Sequence, residues 1–421
     1  MNTKTKEEQL TPIEVQLPKV KFSDLGINPQ ILKTLQGLNL DTPTPIQCQA
    51  IPVALKGSDL VGIAQTGTGK TFAFGIPMLQ KIISEKGQGL VIVPTRELAL
   101  QVAESLKRIA KDFNFNMATI IGGENMGRQL FSLRKRPQII IATPGRLIDH
   151  LKRKTIRLDQ VKTLVLDEAD MMFDLGFTPQ IEEILRQAPK ERQTMLFSAT
   201  MPPEIARLTA NHLKLPVRIE VAPQGTTAKN VEQEVFVLRP SEKFSYLEKL
   251  IKENAGSILV FVRTRYSVRD IRKKLVSLGH NATEIHSNLS LVQRRKSLES
   301  FKSKRNRIMV ATDVAARGLD INGIELVINY DLPDSSPDYV HRIGRTARAG
   351  KSGKAISLAT PNQLKNIRDI ESLIKMTLNV TEHAKLEAIP QRKFSRGRRG
   401  NNFGRRGSGR PAGFHSRRKR F

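Results

Sequence analysis

From about residue 58 onward, the chain alternates short apolar runs with amphipathic segments of helical length. The runs are too short for buried helices, and the segments between them, such as RELALQVAESLKRIAKDF, have helical periodicity. Runs that are apolar on both faces indicate strands of a parallel sheet covered by helices on both sides. The predicted strands are LVGIA, GLVIVP, MATIIGG, QIIIAT, TLVLD, TMLFSAT, SILVFV, IMVAT, LVINY and KAISLA.

The alternation is interrupted once, by VAPQGTTAKNV at residues 221–231. Pro, Gly and Thr without periodicity are typical of a linker. We therefore expect an α/β protein with two tandem parallel-sheet domains around a cleft, in which ligands bind beyond the carboxyl ends of the strands. The predicted divisions are an N-terminal extension, a first domain, the linker, a second domain and a C-terminal tail, at 1–19, 20–220, 221–231, 232–384 and 385–421.

The charge of the chain indicates a polyanionic partner. Its 421 residues include 69 Lys and Arg against 40 Asp and Glu, a formal charge of +29. Nucleic acid is the first expectation for such a chain and an acidic membrane surface the second. No run approaches the roughly 18 apolar residues of a membrane span, and the polar N-terminus lacks the apolar centre of a signal peptide. We expect a cytoplasmic protein with no membrane partner.

The C-terminal tail concentrates this positive charge. Residues 391–421 contain twelve Lys and Arg and no Asp or Glu, with Phe and Gly between them. Such a segment cannot bury enough apolar area to fold alone, so we expect it to be disordered. One interpretation is a solvated tail that aids solubility. The favoured one is an RNA-binding tail, because Arg neutralises phosphates and both Arg and Phe stack on bases.

A phosphate-binding loop is predicted directly after the first strand. The sequence AQTGTGKT at residues 64–71 fits the P-loop pattern except that Ala64 replaces the first Gly. Backbone N–H groups and the following helix N-terminus would form an anion cradle. Lys70 would reach the β- and γ-phosphates, and the Thr71 hydroxyl would bind Mg²⁺. The candidate nucleotide-binding residues of this loop are Thr66, Gly67, Thr68, Gly69, Lys70 and Thr71.

The acidic cluster DEAD, residues 167–170, ends another buried strand. Its three carboxylates repel one another, and Mg²⁺ would supply the missing positive charge. Asp167 would hold the ion mostly through water, and Glu168 would orient and deprotonate the attacking water. Asp170 is predicted to contact two residues of the sequence SAT, namely Ser198 and Thr200. A solvated acidic turn is the alternative interpretation, and the neighbouring P-loop argues against it.

With AQTGTGKT, DEAD and SAT in this order, the chain resembles the DEAD-box ATP-dependent RNA helicases of superfamily 2, over roughly residues 20–360. The resemblance implies two RecA-like domains, ATP and Mg²⁺ as cofactors, and RNA-stimulated ATP hydrolysis. It also implies lobe closure and local, non-processive unwinding of RNA duplexes with low sequence specificity. We expect a monomer, and ribosomal or mRNA-decay complexes as partners.

The resemblance also assigns residues at the nucleotide. Gln47 of PTPIQ looks like the glutamine that reads adenine, and Phe22 resembles the isolated upstream aromatic of this site, while Leu40 stands where the family usually has an aromatic. Asp313 would meet the ATP ribose or position an arginine finger. Two arginine fingers are expected, Arg345 and Arg348. Because they are three residues apart, we predict that they share one face of a helical turn.

RNA contacts are implied in both domains, because threonine hydroxyls, arginines and bare glycine backbone suit phosphate and sugar. In the second domain, Leu291 replaces the Gln of the family's QxxR pattern, and His286-Ser287-Asn288 stands for HGD. The implied RNA-binding residues are Thr95, Arg96, Gly123, Thr143, Arg146, Thr264, Arg294 and Thr312.

Two other functions are compatible with the same domains. A DNA translocase would use the same lobes on another polymer, although Gln47 together with DEAD favours RNA. An ATP-gated RNA clamp or annealing scaffold would bind without turnover, although every hydrolytic residue is present. Comparing ATP turnover with matched RNA and DNA separates these possibilities.

Overall fold

The computed structural model describes residues 20–65, 67–221, 231–316, 324–346 and 353–382. Over these residues the chain forms two parallel sheets of seven strands each, with helices between the strands. The predicted α/β class is therefore confirmed. We call residues 20–221 the first half and residues 231–382 the second half. The predicted N-terminal extension, most of the predicted linker and all of the predicted tail lie outside the described residues.

The first half contains a sheet whose strands all pair in parallel. Its strands are β1 (Leu60–Ile63), β2 (Gln88–Ile92), β3 (Met117–Ile120), β4 (Ile139–Ala142), β5 (Val161–Leu166), β6 (Gln193–Ser198) and β7 (Val217–Glu220). They are arranged in the order β3-β4-β2-β5-β6-β1-β7. Because every strand runs the same way, the loops that follow the strands lie along one edge.

Helices of the first half bury both faces of this sheet. Neighbouring residues of one strand enter different apolar clusters: Val91 packs in one cluster and Leu90 and Ile92 in another. This alternation is what the two-residue repeat of a strand requires. The helices are α1 (Pro29–Gly37), α2 (Pro45–Leu55), α3 (Lys70–Glu85), α4 (Arg96–Ile109), α5 (Met126–Arg134), α6 (Pro144–Lys152), α7 (Ala169–Asp174), α8 (Thr178–Gln187) and α9 (Pro203–His212), preceded by a 3₁₀ helix at Phe22–Leu25.

The second half repeats this plan. Its strands are β8 (Val231–Val237), β9 (Ile258–Phe261), β10 (Ala282–Ile285), β11 (Ile308–Ala311), β12 (Leu326–Asn329), β13 (Gly353–Ala359) and β14 (Asn379–Glu382). They are arranged in the order β10-β11-β9-β12-β13-β8-β14, again all parallel. Counted from its own first strand, each sheet has the same order.

The helices of the second half follow its strands in the same manner. They are α10 (Lys243–Glu253), α11 (Arg265–Ser277), α12 (Leu291–Lys302), α13 (Asp313–Ala316), α14 (Ser336–Ile343) and α15 (Leu364–Ile374), with a 3₁₀ helix at Pro361–Gln363. All described residues belong to one compact unit. Over the part of the chain that is described, no helix is both long enough and apolar enough to cross a membrane.

Four strands were not among the predicted ones: β7, β8, β10 and β14. Strand β7 is mostly exposed and reads VRIE, and β14 reads NVTE. Both are the outermost strands of their sheets. An edge strand is buried less than a central one, so its sequence lacks the continuous apolar run from which the other strands were predicted.

Candidate functional site

The predicted phosphate loop lies between β1 and α3, with Thr66 outside the described residues. Gly67 and Gly69 have φ values of 83° and 92°, in the left-handed region that favours glycine. A Cβ atom on Gly69 would lie 2.4 Å from the Gln47 amide nitrogen. Glycine is therefore required here both by the backbone conformation and by the close approach of Gln47.

Gln47 connects this loop to the start of α2. Its amide oxygen accepts a hydrogen bond from the Thr44 N–H at 2.9 Å, and its amide nitrogen donates to the Gly69 carbonyl at 2.9 Å. The first bond is half of a capping box, a common N-terminal signature of helices. Phe22 is buried in the apolar cluster of the first half. The adenine-side roles of Gln47 and Phe22 stay predictions.

Lys70 is the first residue of α3, and its side chain is buried in the loop. Its ammonium donates to the Ala64 carbonyl at 3.0 Å. The Thr68 hydroxyl donates to the Gln65 carbonyl at 2.7 Å, closing the loop from the other side. Thr71 is half-buried in the first turn of the helix. A helix N-terminus and a buried ammonium at one point form a site suited to an anion.

The DEAD residues follow β5, at the same sheet edge. Glu168 has φ 51° and ψ 52°, a left-handed conformation that is unusual for a residue with a side chain. Backbone strain of this kind persists where the surrounding structure enforces it, often in functional sites. Asp167 and Glu168 are both buried. Burial raises the pKa of both carboxyls, and the positive charge of Lys70 partly offsets that rise.

Asp170 meets Ser198 and Thr200 directly. Its Oδ2 accepts from the Thr200 N–H at 2.9 Å and the Thr200 hydroxyl at 3.1 Å, and its own N–H donates to Ser198 Oγ at 3.2 Å. From the second half, His341 Nε2 lies 3.9 Å from Asp170 Oδ2. Burial alone would raise the pKa of Asp170, but the charges of His341 and Lys70 and the hydrogen bonds from the Thr200 hydroxyl and the Met171 N–H lower it overall. The structure brings together the residues predicted for coupling.

Arg345 brings a positive charge from the second half to the DEAD residues. It is buried, and its charge lowers the pKa of Glu168. Helix α14 ends at Ile343, and Arg345 lies in the turn that follows, where its N–H donates to the Arg342 carbonyl at 3.1 Å. Arg348 lies outside the described residues, so a shared face of the two arginines stays a prediction.

Arg342 is a residue of this region that the sequence analysis did not select. Its guanidinium binds both carboxylate oxygens of Asp313, at 2.5 and 2.7 Å, and donates to the Asn329 side chain at 3.2 Å. It also lies over the Phe261 ring, 5.0 Å from its centroid. Asp313, expected at the ribose or beside Arg345, is thus half-buried and forms an ion pair with the buried Arg342, which ties α13 to α14. The sequence offered a signal, since Arg342 lies three residues before Arg345 in the segment HRIGRTARAG.

A cavity of about 530 Å³ opens between the two halves. Among the predicted RNA-binding residues, the first half contributes Thr95, Arg96 and Arg146 to the lining of this cavity. Thr143 also lines the cavity, and the second half contributes Ser287, Arg294 and Val314. Five of the predicted RNA-binding residues therefore share one cavity.

The remaining predicted RNA contacts lie at similar loop positions. Gly123 has φ 76°, and a Cβ atom there would collide with the Arg96 guanidinium at 2.1 Å. Thr264 is exposed and caps α11 by accepting from the Ser267 N–H. Thr312 precedes α13, and its carbonyl accepts the first backbone bond of that helix. Their contacts with RNA stay predictions.

Arg294, predicted as an RNA contact, is paired within the protein. Its guanidinium lies 3.0 Å from Glu97 Oε2, and both side chains are nearly buried. Glu97 belongs to α4 of the first half, so this ion pair bridges the two halves. Glu97 lies in the segment RELALQVAESLKRIAKDF, which was predicted as helical, but the sequence analysis gave it no role. Its partner could not be predicted from the local pattern, because the two residues lie far apart in the chain.

Family models match the chain in two segments. Residues 44–208 match the DEAD/DEAH box helicase model, and residues 242–350 match the helicase conserved C-terminal domain. The chain is 44% identical to the ATP-dependent RNA helicase CshA of Limosilactobacillus reuteri, over 85% of this chain and 73% of the relative. The CshA of Listeria monocytogenes is 45% identical, over 84% of this chain and 69% of the relative. The chain therefore belongs to the DEAD/DEAH box helicase family.

Solved structures with the same fold contain RNA together with a nucleotide complex. S. cerevisiae Dbp5 bound to RNA and ADP BeF₃ is 30% identical, with a TM-score of 0.79 over 86% of this chain and 95% of that chain. The DEAD-box helicase Mss116 bound to ssRNA and UDP-BeF is 27% identical, with a TM-score of 0.80 over 87% of this chain and 81% of that chain. The two sheets of this chain are thus tandem RecA-like domains, as the sequence predicted.

Proposed function

We propose that this protein is an RNA-stimulated ATPase that uses ATP hydrolysis for local separation or remodelling of RNA duplexes and ribonucleoproteins. One observation carries the proposal. The charge of Arg345 from the second half reaches Glu168 of the first, beside a cavity lined by predicted RNA contacts of both halves. An active site divided between two halves works only when they meet, so a strand bound across both promotes the chemistry.

Mg²⁺ fits the proposed nucleotide site as a companion of ATP. Within the described residues, no group of three or more His, Cys, Asp or Glu is arranged to hold a metal ion. Mg²⁺ commonly uses one or two carboxylates together with substrate phosphates and water. Asp167 and the Thr71 hydroxyl, both near the phosphate loop, are suited to that role. When bound, the ion would neutralise the charge that develops on the transferred phosphoryl group.

The side chains at this site have distinct proposed roles. Lys70 would move from the Ala64 carbonyl to the β- and γ-phosphates of ATP. Glu168 would accept a proton from the attacking water, and the burial that raises its pKa also makes it a stronger base. Arg345, and Arg348 beyond the described residues, would stabilise the transition-state charge. Gln47 and Phe22 would contact the adenine side, and Asp313 would hold Arg342 in place.

RNA would lie in the cavity between the halves, held through phosphates and sugars. Threonine hydroxyls, Arg96, Arg146 and backbone groups contact the backbone of a strand without reading its bases, so we expect low sequence specificity. Binding and closure would separate only the few base pairs that the cavity engages. The Arg-rich segment 391–421 would add affinity for phosphates, and its loss would weaken the salt dependence of RNA binding.

The biological setting is proposed from the same chemistry. We propose a cytoplasmic protein that acts as a monomer and joins ribosomal or mRNA-decay complexes. A protein with low intrinsic sequence specificity needs partners or local concentration to select its RNA. The basic body and tail of the chain are consistent with such RNA-rich assemblies.

The decisive experiment compares ATP turnover by the full chain with no nucleic acid, with single-stranded RNA and with DNA of the same sequence. We expect strong stimulation by RNA alone, together with separation of a short RNA duplex. Equal turnover under all three conditions would contradict the proposal. Equal stimulation by DNA would favour a DNA translocase, and ATP-dependent RNA binding without turnover would favour a clamp.

A further inference from the structure

The first residue of α12 makes a contact that crosses between the halves. Helix α12 belongs to the second half, yet Leu291 packs against the apolar cluster of the first half, to which Leu98 and Ala99 of α4 belong. The next residue, Val292, points away and is 64% exposed. One side of this helix start therefore faces the first half, while the other faces solvent.

The same side of α12 carries the ion pair between the halves. Arg294 lies three residues after Leu291, and residues at this spacing share a helical face. Its partner Glu97 immediately precedes Leu98. The start of α12 thus contacts the first half through an apolar side chain and through a nearly buried ion pair. It adjoins the RNA cavity, because Arg294, Glu97 and the preceding Arg96 all line that cavity.

The ion pair and the Leu291 contact differ in how much each favours closure of the two halves. Forming a buried ion pair removes both charges from water, and this desolvation cancels much of the electrostatic gain. The Glu97 carboxylate oxygens also make no hydrogen bond to a described residue, so the alignment of this pair is imperfect. Leu291 has no such penalty, since burying an apolar side chain is favourable in itself. Leu291 therefore supplies most of the net attraction at this contact.

We propose that Leu291 is a positioning residue that sets how readily the two halves close, and thereby how much RNA is needed to activate ATP hydrolysis. The contact is made between side chains of the protein itself, so it adds to the free energy that favours the closed arrangement. Leu291 stands where the sequence pattern of the resembling family has Gln, so this chain has an apolar side chain at the contact. The inference rests on the proposed function, because it concerns the RNA dependence of that ATPase.

The test compares Leu291→Ala with Val292→Ala in the full chain. Both variants shorten an aliphatic side chain in the first turn of the same helix, but only the first removes the contact between halves. For Leu291→Ala, the RNA concentration that gives half-maximal ATPase should rise about five- to tenfold, as expected from losing part of a partly buried Leu. The kcat at saturating RNA should change little, because closure is then complete. Val292→Ala should need the same RNA concentration as the parent. Leu291→Met should need an RNA concentration close to that of the parent, because Met keeps most of the apolar contact.

A second measurement separates closure from fold stability and from the proposed function. Energy transfer between dyes on the two halves, measured with a non-hydrolysable ATP analogue at limiting RNA, should report fewer closed molecules for Leu291→Ala. The thermal midpoint should match that of Val292→Ala. An unchanged closed fraction, or an equal effect of both substitutions, would overturn the inference. A parent protein whose ATPase ignores RNA would instead overturn the proposed function, while the closed fraction would still test Leu291.

Discussion

The two halves share one scaffold but differ in the loops that carry chemistry. Their strand orders are identical when each is counted from its own first strand. After the second strand of each sheet, a threonine caps the next helix and accepts from the N–H three residues on, Thr95 in the first half and Thr264 in the second. After the fourth strand, Thr143 and Thr312 occupy matching positions. The loops predicted to meet RNA are thus alike in both halves.

The loops predicted to meet the nucleotide are different. After its first strand, the first half has the glycine-rich loop and Lys70, whereas the second half continues with Leu238, Arg239 and Pro240. After the fifth strand, the position of Glu168 is taken by Asp331, which accepts from the Arg263 N–H at 2.9 Å. The comparison indicates that one scaffold was specialised for ATP in only one copy. The other copy supplies Arg345 from a different place, the end of α14.

The largest expected effect comes from Arg345, the residue proposed to bring the second half into the chemistry. Arg345→Ala should lower kcat by roughly 10³-fold or more, the range of arginine fingers. Its affinity for RNA should change far less, because Arg345 lies on the nucleotide side. Turnover at saturating RNA and equilibrium RNA binding measure the two quantities. Loss of RNA binding with normal turnover of the bound complex would contradict the assignment.

The comparison between Glu168 and Asp331 is tested by a matched pair of substitutions. Glu168→Gln should lower kcat by about 10²- to 10⁴-fold, as expected for loss of a general base, while ATP and RNA still bind. Asp331→Asn, at the corresponding place in the second half, keeps an oxygen for the Arg263 N–H and should leave turnover close to that of the parent. Similar losses in both variants would mean that the two positions are not functionally distinct.

Smaller effects are expected from the two capping threonines. Thr95→Ala and Thr264→Ala should each lower the free energy of unfolding by about 1 kcal/mol, the usual contribution of an N-cap. Thr95 is buried and Thr264 is exposed, so Thr95→Ala should have the larger effect. Serine at either position keeps the hydroxyl and should restore most of the loss. Urea denaturation of the four variants provides the measurement, and an effect confined to one half would weaken the comparison.

The smallest effect concerns one fully buried histidine in each half, His150 and His286. Burial lowers the pKa of both below the ordinary value of 6.5. The unfolded chain therefore binds protons more readily, and stability falls as pH drops below about 6.5 toward the folded-state pKa. His150→Gln and His286→Gln should each reduce the fall in thermal midpoint between pH 7.5 and 5.5. An unchanged pH response would show that other groups are responsible.

The sequence predicted the central strands and the phosphate loop because both depend on local chemistry. Continuous apolar runs such as residues 139–142 can only be buried, and the Gly67 and Gly69 positions require glycine backbone. The contact between Asp170 and Thr200 was also anticipated, since both follow neighbouring strands of one sheet.

The contacts between halves could not be predicted in this way. Nothing local to Arg294 indicates Glu97, and nothing local to Leu291 indicates the apolar cluster of the first half. The helical turn predicted to join Arg345 and Arg348 stays a prediction, because α14 ends at Ile343 and Arg348 lies outside the described residues. Such pairings depend on how two separately folded sheets meet, and hydrophobic periodicity carries no information about that.

The strand order β3-β4-β2-β5-β6-β1-β7 has a spatial consequence. The loop after β1, where a nucleotide's phosphates would bind, and the loop after β2, with Thr95 and Arg96, are separated by three strand spacings, about 14 Å. Strands β5 and β6 lie between them, and Asp170, Ser198 and Thr200 lie where these strands end. A bound nucleotide and a bound RNA strand would thus lie on opposite sides of one sheet edge. Any energetic coupling between the two sites would have to pass through the residues between them.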